Sequence, residues 1–208
     1  MQEENSNSQN VNFTISSCER GTSRGSYRIC MEGGSSFFLS ADFLLEHKLK
    51  KGMVVDSTLY EQIKEESQFV EVYTKSLSLL SKQMYTEYNL KMKLLSLEYS
   101  IGSVNKALDL LKEKSYIDDY TFAYKWVESR IRNKLDSSLE LIAGLIKKGI
   151  SNNIANSVVS ELYTQKVKEK IIKGKIEKYY KQNKSAEYIK KSLSRKGFDL
   201  ASIIHYID

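Results

Sequence analysis

The stretch YIDDYTFAYKWVESRIRNKLDSSLELIAGLIKKGISNNIANSVVSEL, residues 116–162, predicts three consecutive helices. The Asp118–Asp119 pair offers an N-cap for the first helix, because short acidic side chains accept hydrogen bonds from free N–H groups there. Ser137 begins the second helix, and Glu140 three residues later completes the pattern of a capping box. Residues 151–162 form the third helix. The stretch therefore predicts one compact three-helix unit.

This unit occurs three times in the chain. The second helices align as TEYNLKMKLLSLEY (86–99), SSLELIAGLIKKGI (137–150) and SAEYIKKSLSRKGF (185–198). Each segment begins with a capping Ser or Thr and carries large apolar residues at three matching places. These residues are Leu90, Leu141 and Ile189; Leu94, Leu145 and Leu193; and Tyr99, Ile150 and Phe198. Self-similarity at this period indicates an array of repeated supersecondary units.

The ends of the second helices also match, with one departure. Gly149 and Gly197 follow basic residues, and glycine takes the left-handed conformation that closes a helix at little cost. The first copy has Glu98 at this place, so its helix end is less well defined by sequence. Leu145 is expected to be buried within its own unit.

The predicted fold class is mainly α: a tandem array of three three-helix repeats forming an elongated curved domain, preceded by a small β-rich N-terminal domain. The domain boundaries are a disordered tail (1–10), a β-meander with short helices (11–71) and repeats at 72–118, 119–163 and 164–208. Alternating polarity and glycine turns place the strands; their predicted ranges are 11–17, 27–31 and 37–39. Helices are predicted at 41–49, 56–66, 72–82, 86–97, 103–113, 164–181, 185–196 and 200–206.

Composition argues against several classes of protein. No apolar run approaches the roughly 18 residues of a membrane span, and the polar start MQEENSNSQN does not resemble a signal peptide, so we expect a cytoplasmic protein. Cys18 and Cys30 are too few for a disulfide scaffold or a closed zinc site. His47 and His205 lie in no metal or nucleophile motif, and no phosphate loop is present. We expect no enzymatic activity and no cofactor.

Charge is concentrated at the C-terminal end. The chain has a net charge of +6, and residues 163–208 alone hold 12 Lys and Arg against 5 Asp and Glu. Such a segment favours an anionic partner, although any single lysine is more often simply solvated. We assign Trp126 and the tyrosines to the core rather than to base stacking. The predicted basic binding surface comprises Arg130, Arg132, Lys134, Lys147, Lys148, Lys173, Lys190, Lys191, Arg195 and Lys196.

The second repeat resembles the RecX family of bacterial RecA regulators. The resemblance rests on YIDD followed by FA, a hydrophobic residue and Arg (116–130), and then on S-x-x-E-L-x-x-x-L-x-x-K-G-I (137–150). It covers the three repeats from Val72 onward and, more loosely, the N-terminal part.

Several properties follow from this resemblance as expectations. It implies a monomeric, non-enzymatic regulator of recombination, DNA repair and the SOS response. Such a protein would lie in the groove of the RecA filament on single-stranded DNA. There it would limit filament growth, ATP hydrolysis, strand exchange and coprotease activity. The basic surface would face RecA or the DNA. The residues themselves, scattered lysines without a base-reading helix, predict that any direct DNA contact is weak and independent of sequence.

Two other functions stay open. Three short helices per unit also suit a helix-turn-helix transcription regulator, but a recognition helix usually needs Arg or Lys to reach base edges. Residues 151–162 and 199–208 contain neither, which disfavours this alternative. The chain could also be a helical-repeat scaffold for another partner. The sequence leaves open the strength of the regulatory effect and the role of the N-terminal domain.

Overall fold

The computed structural model describes residues 13–21 and 25–207, so the predicted tail at 1–10 lies outside the described residues. The protein is mainly helical with a small N-terminal β-sheet, as predicted. Its residues group into two compact units. Of the described residues, the N-terminal unit contains 13–21, 25–83 and 91–114, and the C-terminal unit contains 84–90 and 115–207. No helix in the described ranges combines the length and apolar character needed to cross a membrane.

The sheet has four antiparallel strands in the order β3-β2-β1-β4. They are β1 (Phe13–Arg20), β2 (Ser26–Met31), β3 (Ser36–Ser40) and β4 (Val54–Val55). The first three were predicted with shorter or shifted bounds. The fourth was missed, because a strand of two residues is too short to show an alternating pattern.

One face of the sheet forms the core of the N-terminal unit. Ile15, Ile29 and Leu39 are fully buried there together with Ile63 from the following helix. A short helix, α1 (Ala41–Glu46), leaves the end of β3, and Ser40 caps it by accepting a hydrogen bond from the Phe43 N–H.

Helix α2 (Ser57–Leu80) corrects the prediction of two separate helices at 56–66 and 72–82. Asp56 caps it, accepting a 2.8 Å hydrogen bond from the Leu59 N–H. The intervening residues contain neither Gly nor Pro, so nothing in the backbone interrupts the helix. Phe69 and Val72 are both buried and continue the apolar face across the predicted break. One 24-residue helix therefore joins the sheet to the first repeat.

Two further helices follow within the predicted first repeat. They are α3 (Glu87–Leu95) and α4 (Ile101–Glu113). Ser100 caps α4, so this helix begins earlier than the predicted Ser103. The buried face of α4 consists of Ser103, Val104, Ala107, Leu108 and Leu111.

The second repeat comprises α5 (Asp119–Lys134), α6 (Ser138–Lys147) and α7 (Asn152–Leu162). Asp118, Ser137 and Ser151 are their N-caps, and the capping box between Ser137 and Glu140 is present. Leu145 is fully buried, as predicted. Its cluster consists of residues from these three helices and their connections, namely Ala123, Val127, Leu141, Leu145, Ile150, Ala155, Val158 and Val159.

The third repeat comprises α8 (Gln165–Lys181), α9 (Ala186–Arg195) and α10 (Leu200–Ile204). Its cluster consists of Ile171, Ile172, Ile176, Ile189, Leu193, Phe198 and Ile203. The assignment of the tyrosines to the core is wrong for Tyr180, which is 44% exposed, whereas Tyr179 packs against the cluster. The boundaries between the repeats at 72, 119 and 164 remain a prediction.

The second helices of all three repeats end with a residue of positive φ. The values are +65° at Glu98, +83° at Gly149 and +85° at Gly197. Glu98→Gly should raise the free energy of unfolding by about 0.5–1 kcal/mol, because the left-handed conformation strains a residue that has a Cβ. Chemical denaturation of both proteins measures the difference.

Glu98→Ala is the matched control for this prediction. It removes the same charge and side chain but keeps the Cβ, so the strain remains and we expect no gain in stability. Equal stabilisation by the two substitutions would contradict the conformational explanation.

Candidate anion-binding surface

Helix α9 presents an aromatic residue and two basic residues to solvent. Ile189 and Leu193 are fully buried and direct one side of the helix into the core. Tyr188, Lys191 and Arg195 lie on the other side, since residues three, four and seven positions apart share a helix face. All three are exposed. Ser185 fixes the start of the helix by accepting a hydrogen bond from the Tyr188 N–H.

These residues line a shallow surface depression, called here the α9 depression. Its lining is Tyr188, Lys191, Ser192, Arg195 and Lys196. The rings of Tyr188 and Tyr179 meet edge to face, with centroids 5.9 Å apart and planes at 80°. The Lys184 Nζ lies 5.2 Å from the centroid of the Tyr188 ring. The depression thus combines a supported, half-exposed aromatic ring with several cations.

A second cleft, called here the Glu140 cleft, shares residue Lys196 with the α9 depression. It is lined by Asn133, Lys134, Leu135, Asp136, Glu140, Lys175, Lys178, Tyr179, Gln182 and Lys196. Two carboxylates at its base offset part of the positive charge of the four lysines. The two lined regions together form a basic surface contributed by α5, α8 and α9.

Glu140 connects the second repeat to the third. One carboxylate oxygen, Oε2, accepts a 2.9 Å hydrogen bond from the Ser137 N–H and lies 3.3 Å from the Lys175 Nζ. The other, Oε1, accepts a hydrogen bond from the Lys196 Nζ. Burial raises the pKa of Glu140, but the bonds from Lys196 and Ser137 and the charge of Lys175 outweigh burial and lower the pKa to about 2.

Glu140→Gln should reduce stability near neutral pH and flatten its dependence on acid. The pKa of Glu140 is lower in the folded protein than in the unfolded chain, so this carboxylate stabilises the fold above about pH 5. That contribution is lost as the pH falls from about 5 to about 2. We expect a loss of about 1 kcal/mol at neutral pH, allowing for screening of a partly exposed group. Urea denaturation across this pH range measures it.

Glutamine suits this test because it can still complete a capping box. The variant therefore removes the charge and leaves helix α6 capped. Glu187→Gln on exposed α9 is a matched control, which should leave the acid dependence close to that of the wild type. An unchanged pH profile for Glu140→Gln would show that Glu140 contributes nothing through its charge.

The predicted basic residues of α9 fall into two groups, those that line the α9 depression and one that does not. Lys191, Arg195 and Lys196 line the α9 depression, whereas Lys190 lies outside the lining, on another side of the helix. Lys196 is paired with Glu140, and the hydrogen bond to this carboxylate raises the pKa of Lys196. Lys191 and Arg195 therefore supply the exposed charge of the depression, and Lys196 also has a structural role.

A separate group of predicted basic residues surrounds Trp126. The Arg130 guanidinium pairs with the buried Asp136 and lies 5.3 Å from the centroid of the Trp126 ring. The Lys148 Nζ lies 5.8 Å from the same centroid. The ring packs on Gly144, where an added Cβ would come within 2.4 Å of it. Trp126 is thus half-buried against the second repeat, and Arg130 also holds the end of α5 in place.

The remaining predicted residues are dispersed. Arg132 and Lys147 are exposed, and Lys134 is an exposed residue of the Glu140 cleft. The Lys173 Nζ lies 4.8 Å from the centroid of the Tyr206 ring. Whether any of the ten residues contacts a partner remains a prediction.

Sequence reasoning missed Tyr188. The tyrosines were assigned to the core, and for Tyr188 this is wrong, since it is 49% exposed. The helical spacing of Tyr188, Lys191 and Arg195, out of phase with Ile189 and Leu193, was the signal that could have identified it. Lys175 and Lys178 were likewise not singled out, because their proximity to these residues depends on packing between helices. Lys184 was missed although it lies only four residues before Tyr188 in the sequence.

The described residues contain no group of three or more His, Cys, Asp or Glu side chains arranged to hold a metal ion. Cys18 lies opposite Ile29 and Cys30 lies opposite Ser17 in the β1–β2 pairing, and both thiols are free.

Comparisons with known proteins point to one family. The chain matches no family model. It is 29% identical to the regulatory protein RecX of Clostridium acetobutylicum over 117 residues, 56% of this chain and 54% of that protein, so the match spans about half of that relative. It is 26% identical to RecX of Oceanobacillus iheyensis over 187 residues, covering 85% of this chain and 69% of that protein. RecX of Caldanaerobacter subterraneus is 24% identical over 177 residues, 85% and 89% of the two chains.

Two solved structures share the fold. A crystal structure of regulatory protein RecX superposes with a TM-score of 0.80 at 24% identity, covering 93% of this chain and 98% of that chain. RecX from Lactobacillus salivarius superposes with a TM-score of 0.60 at 27% identity, covering 67% and 94%.

The structure is a series of helices that follows a small N-terminal sheet, and its C-terminal unit carries a basic surface. The sequence relatives described above and the solved structures that share its fold are RecX proteins. The chain is similar in sequence and in fold to regulatory proteins of the RecX family.

Proposed function

We propose that this protein binds the RecA filament on single-stranded DNA and limits its growth. Reduced ATP hydrolysis, strand exchange and coprotease activity by RecA would follow from a shorter or blocked filament. The observation that carries the proposal is the RecX fold, which matches over 93% of the chain. The proposed setting is the cytoplasm, where the protein would act as a monomer without a cofactor.

The basic surface supports an anionic target. Lys191 and Arg195 are exposed beside the paired Lys196, and a filament offers both acidic protein surfaces and DNA phosphates. Sequence-specific readout of duplex DNA is less well supported. Helices α7 and α10 contain neither Arg nor Lys, which most recognition helices use to reach base edges.

Co-sedimentation with RecA–single-stranded DNA filaments tests this proposal. We expect the protein to enter the pellet with filaments in larger amount than with naked DNA, and to remain in solution with RecA alone. Pelleting that does not depend on RecA would contradict the proposal.

ATP hydrolysis provides the functional readout. The protein should slow DNA-dependent ATP hydrolysis by RecA as its concentration rises, and it should hydrolyse no ATP itself. A RecA hydrolysis rate that stays constant at saturating protein would show that binding, if present, does not regulate the filament.

A further inference from the structure

We propose that Tyr188 is a stacking residue for an unpaired nucleobase, and that Lys191 and Arg195 contact the adjoining phosphates. This inference deepens the proposed function and rests on it, since it gives the chain its own contact with the single strand inside a filament. The ligand class is single-stranded nucleic acid of any sequence.

The position of the Tyr188 ring supports a stacking role. The side chain is 49% exposed although its helix packs closely on the core through Ile189 and Leu193. The ring of Tyr179 packs edge to face against the ring of Tyr188. Tyr179 is itself held in place by a hydrogen bond, since its hydroxyl oxygen lies 2.8 Å from that of Ser192. An aromatic ring held in place loses little conformational freedom when a base stacks on it.

The charges around the ring suit a phosphodiester backbone. Lys191 and Arg195 are exposed in the same depression, four residues apart and therefore about 6 Å apart along the helix axis. Lys184 lies against the ring, where its ammonium can also reach a phosphate. Glu187 is the acidic residue of α9, and it lies outside the lining of the depression. A base on the ring would thus have cations on both sides.

This combination favours a single strand over other anions. Bases in a duplex are paired and stacked on one another, whereas a single strand exposes a π-face that an aromatic residue can bind. An acidic peptide could pair with Lys191 and Arg195, but it would gain little from an aromatic ring at position 188. Because every base has a π-face, binding should not depend on sequence.

Fluorescence anisotropy with two labelled oligonucleotides tests the role of Tyr188. One is an oligothymidylate of about 20 nucleotides, longer than common single-strand site sizes, and the other is an abasic strand of equal length. Tyr188→Ala should weaken oligothymidylate binding by about 5- to 100-fold and leave abasic binding unchanged. Tyr188→Phe should bind as the wild type does, because it retains the ring. Tyr116→Ala is the matched control, as Tyr116 is 55% exposed outside the depression.

A second pair of variants tests the phosphate contacts. Lys191→Glu should weaken binding to both oligonucleotides and reduce the dependence of binding on salt, because fewer counterions are released. Lys190→Glu makes the same change of charge on the same helix but outside the depression, and it should have a smaller effect. Equal effects would mean that only the overall charge matters, and the proposed contacts would be refuted.

Three results would overturn the stacking proposal: unchanged oligothymidylate binding by Tyr188→Ala, an equal loss on the abasic strand, or no binding of oligothymidylate by the wild type. Co-sedimentation of the same proteins with RecA filaments separates this failure from that of the proposed function. A wild type that binds filaments but no free oligothymidylate would leave the regulatory proposal intact and remove the stacking site. A wild type that binds the oligothymidylate through Tyr188 but does not bind RecA filaments would support the stacking site and contradict the regulatory proposal.

Discussion

Leu145→Ala is expected to lower the free energy of unfolding by about 2–5 kcal/mol. Leu145 is fully buried, and its cluster brings together residues from all three helices of the second repeat, including Val127, Leu141 and Val158. Removing three carbons there loses the transfer free energy of the side chain and leaves a cavity that these neighbours can fill only in part. Urea denaturation followed by circular dichroism measures the change.

Leu139→Ala is the matched control for this effect. It makes the same chemical change on the same helix, but Leu139 is 57% exposed. We expect a loss of less than about 1 kcal/mol, in line with other surface substitutions. A Leu145→Ala protein as stable as its control would mean that the second repeat does not depend on this cluster.

Lys191→Glu combined with Arg195→Glu should weaken binding to the RecA–single-stranded DNA filament by about tenfold or more. Each exposed ion pair alone is worth little, but two attractive contacts are lost at once and repulsion replaces them. Lys196 is left unchanged because its bond to Glu140 stabilises the fold. Co-sedimentation and inhibition of strand exchange measure the effect, and circular dichroism verifies folding.

Lys166→Glu combined with Lys170→Glu is the control. These two exposed lysines of α8 have the same spacing of four residues and give the same change in net charge, but neither lines the α9 depression. The control should retain most of the binding. A folded Lys191→Glu, Arg195→Glu protein that inhibits like the wild type would remove the depression from the filament interface.

Local rules account for the features that the sequence determined by itself. The Ser137–Glu140 capping box and the Asp118 cap depend on groups within three residues of one another, so they are visible without any tertiary information. The matching apolar residues Leu94, Leu145 and Leu193 are fully buried, whereas Tyr99 is only half-buried. Their spacing follows from the period of the helix, which any segment carries in its own sequence.

Tertiary structure determined the features that depend on contacts between residues far apart in the sequence. The bond of Lys196 to Glu140 joins residues 56 positions apart and makes a predicted surface cation a structural one. The exposure of Tyr188 beside Lys191 depends on how α9 rotates to bury Ile189 and Leu193, and Tyr179 reaches it from another helix. The continuity of α2 was likewise settled by packing, since Phe69 and Val72 are both buried across the predicted break. Sequence spacing specifies which residues share a helix face, and only the packing of helices decides what that face meets.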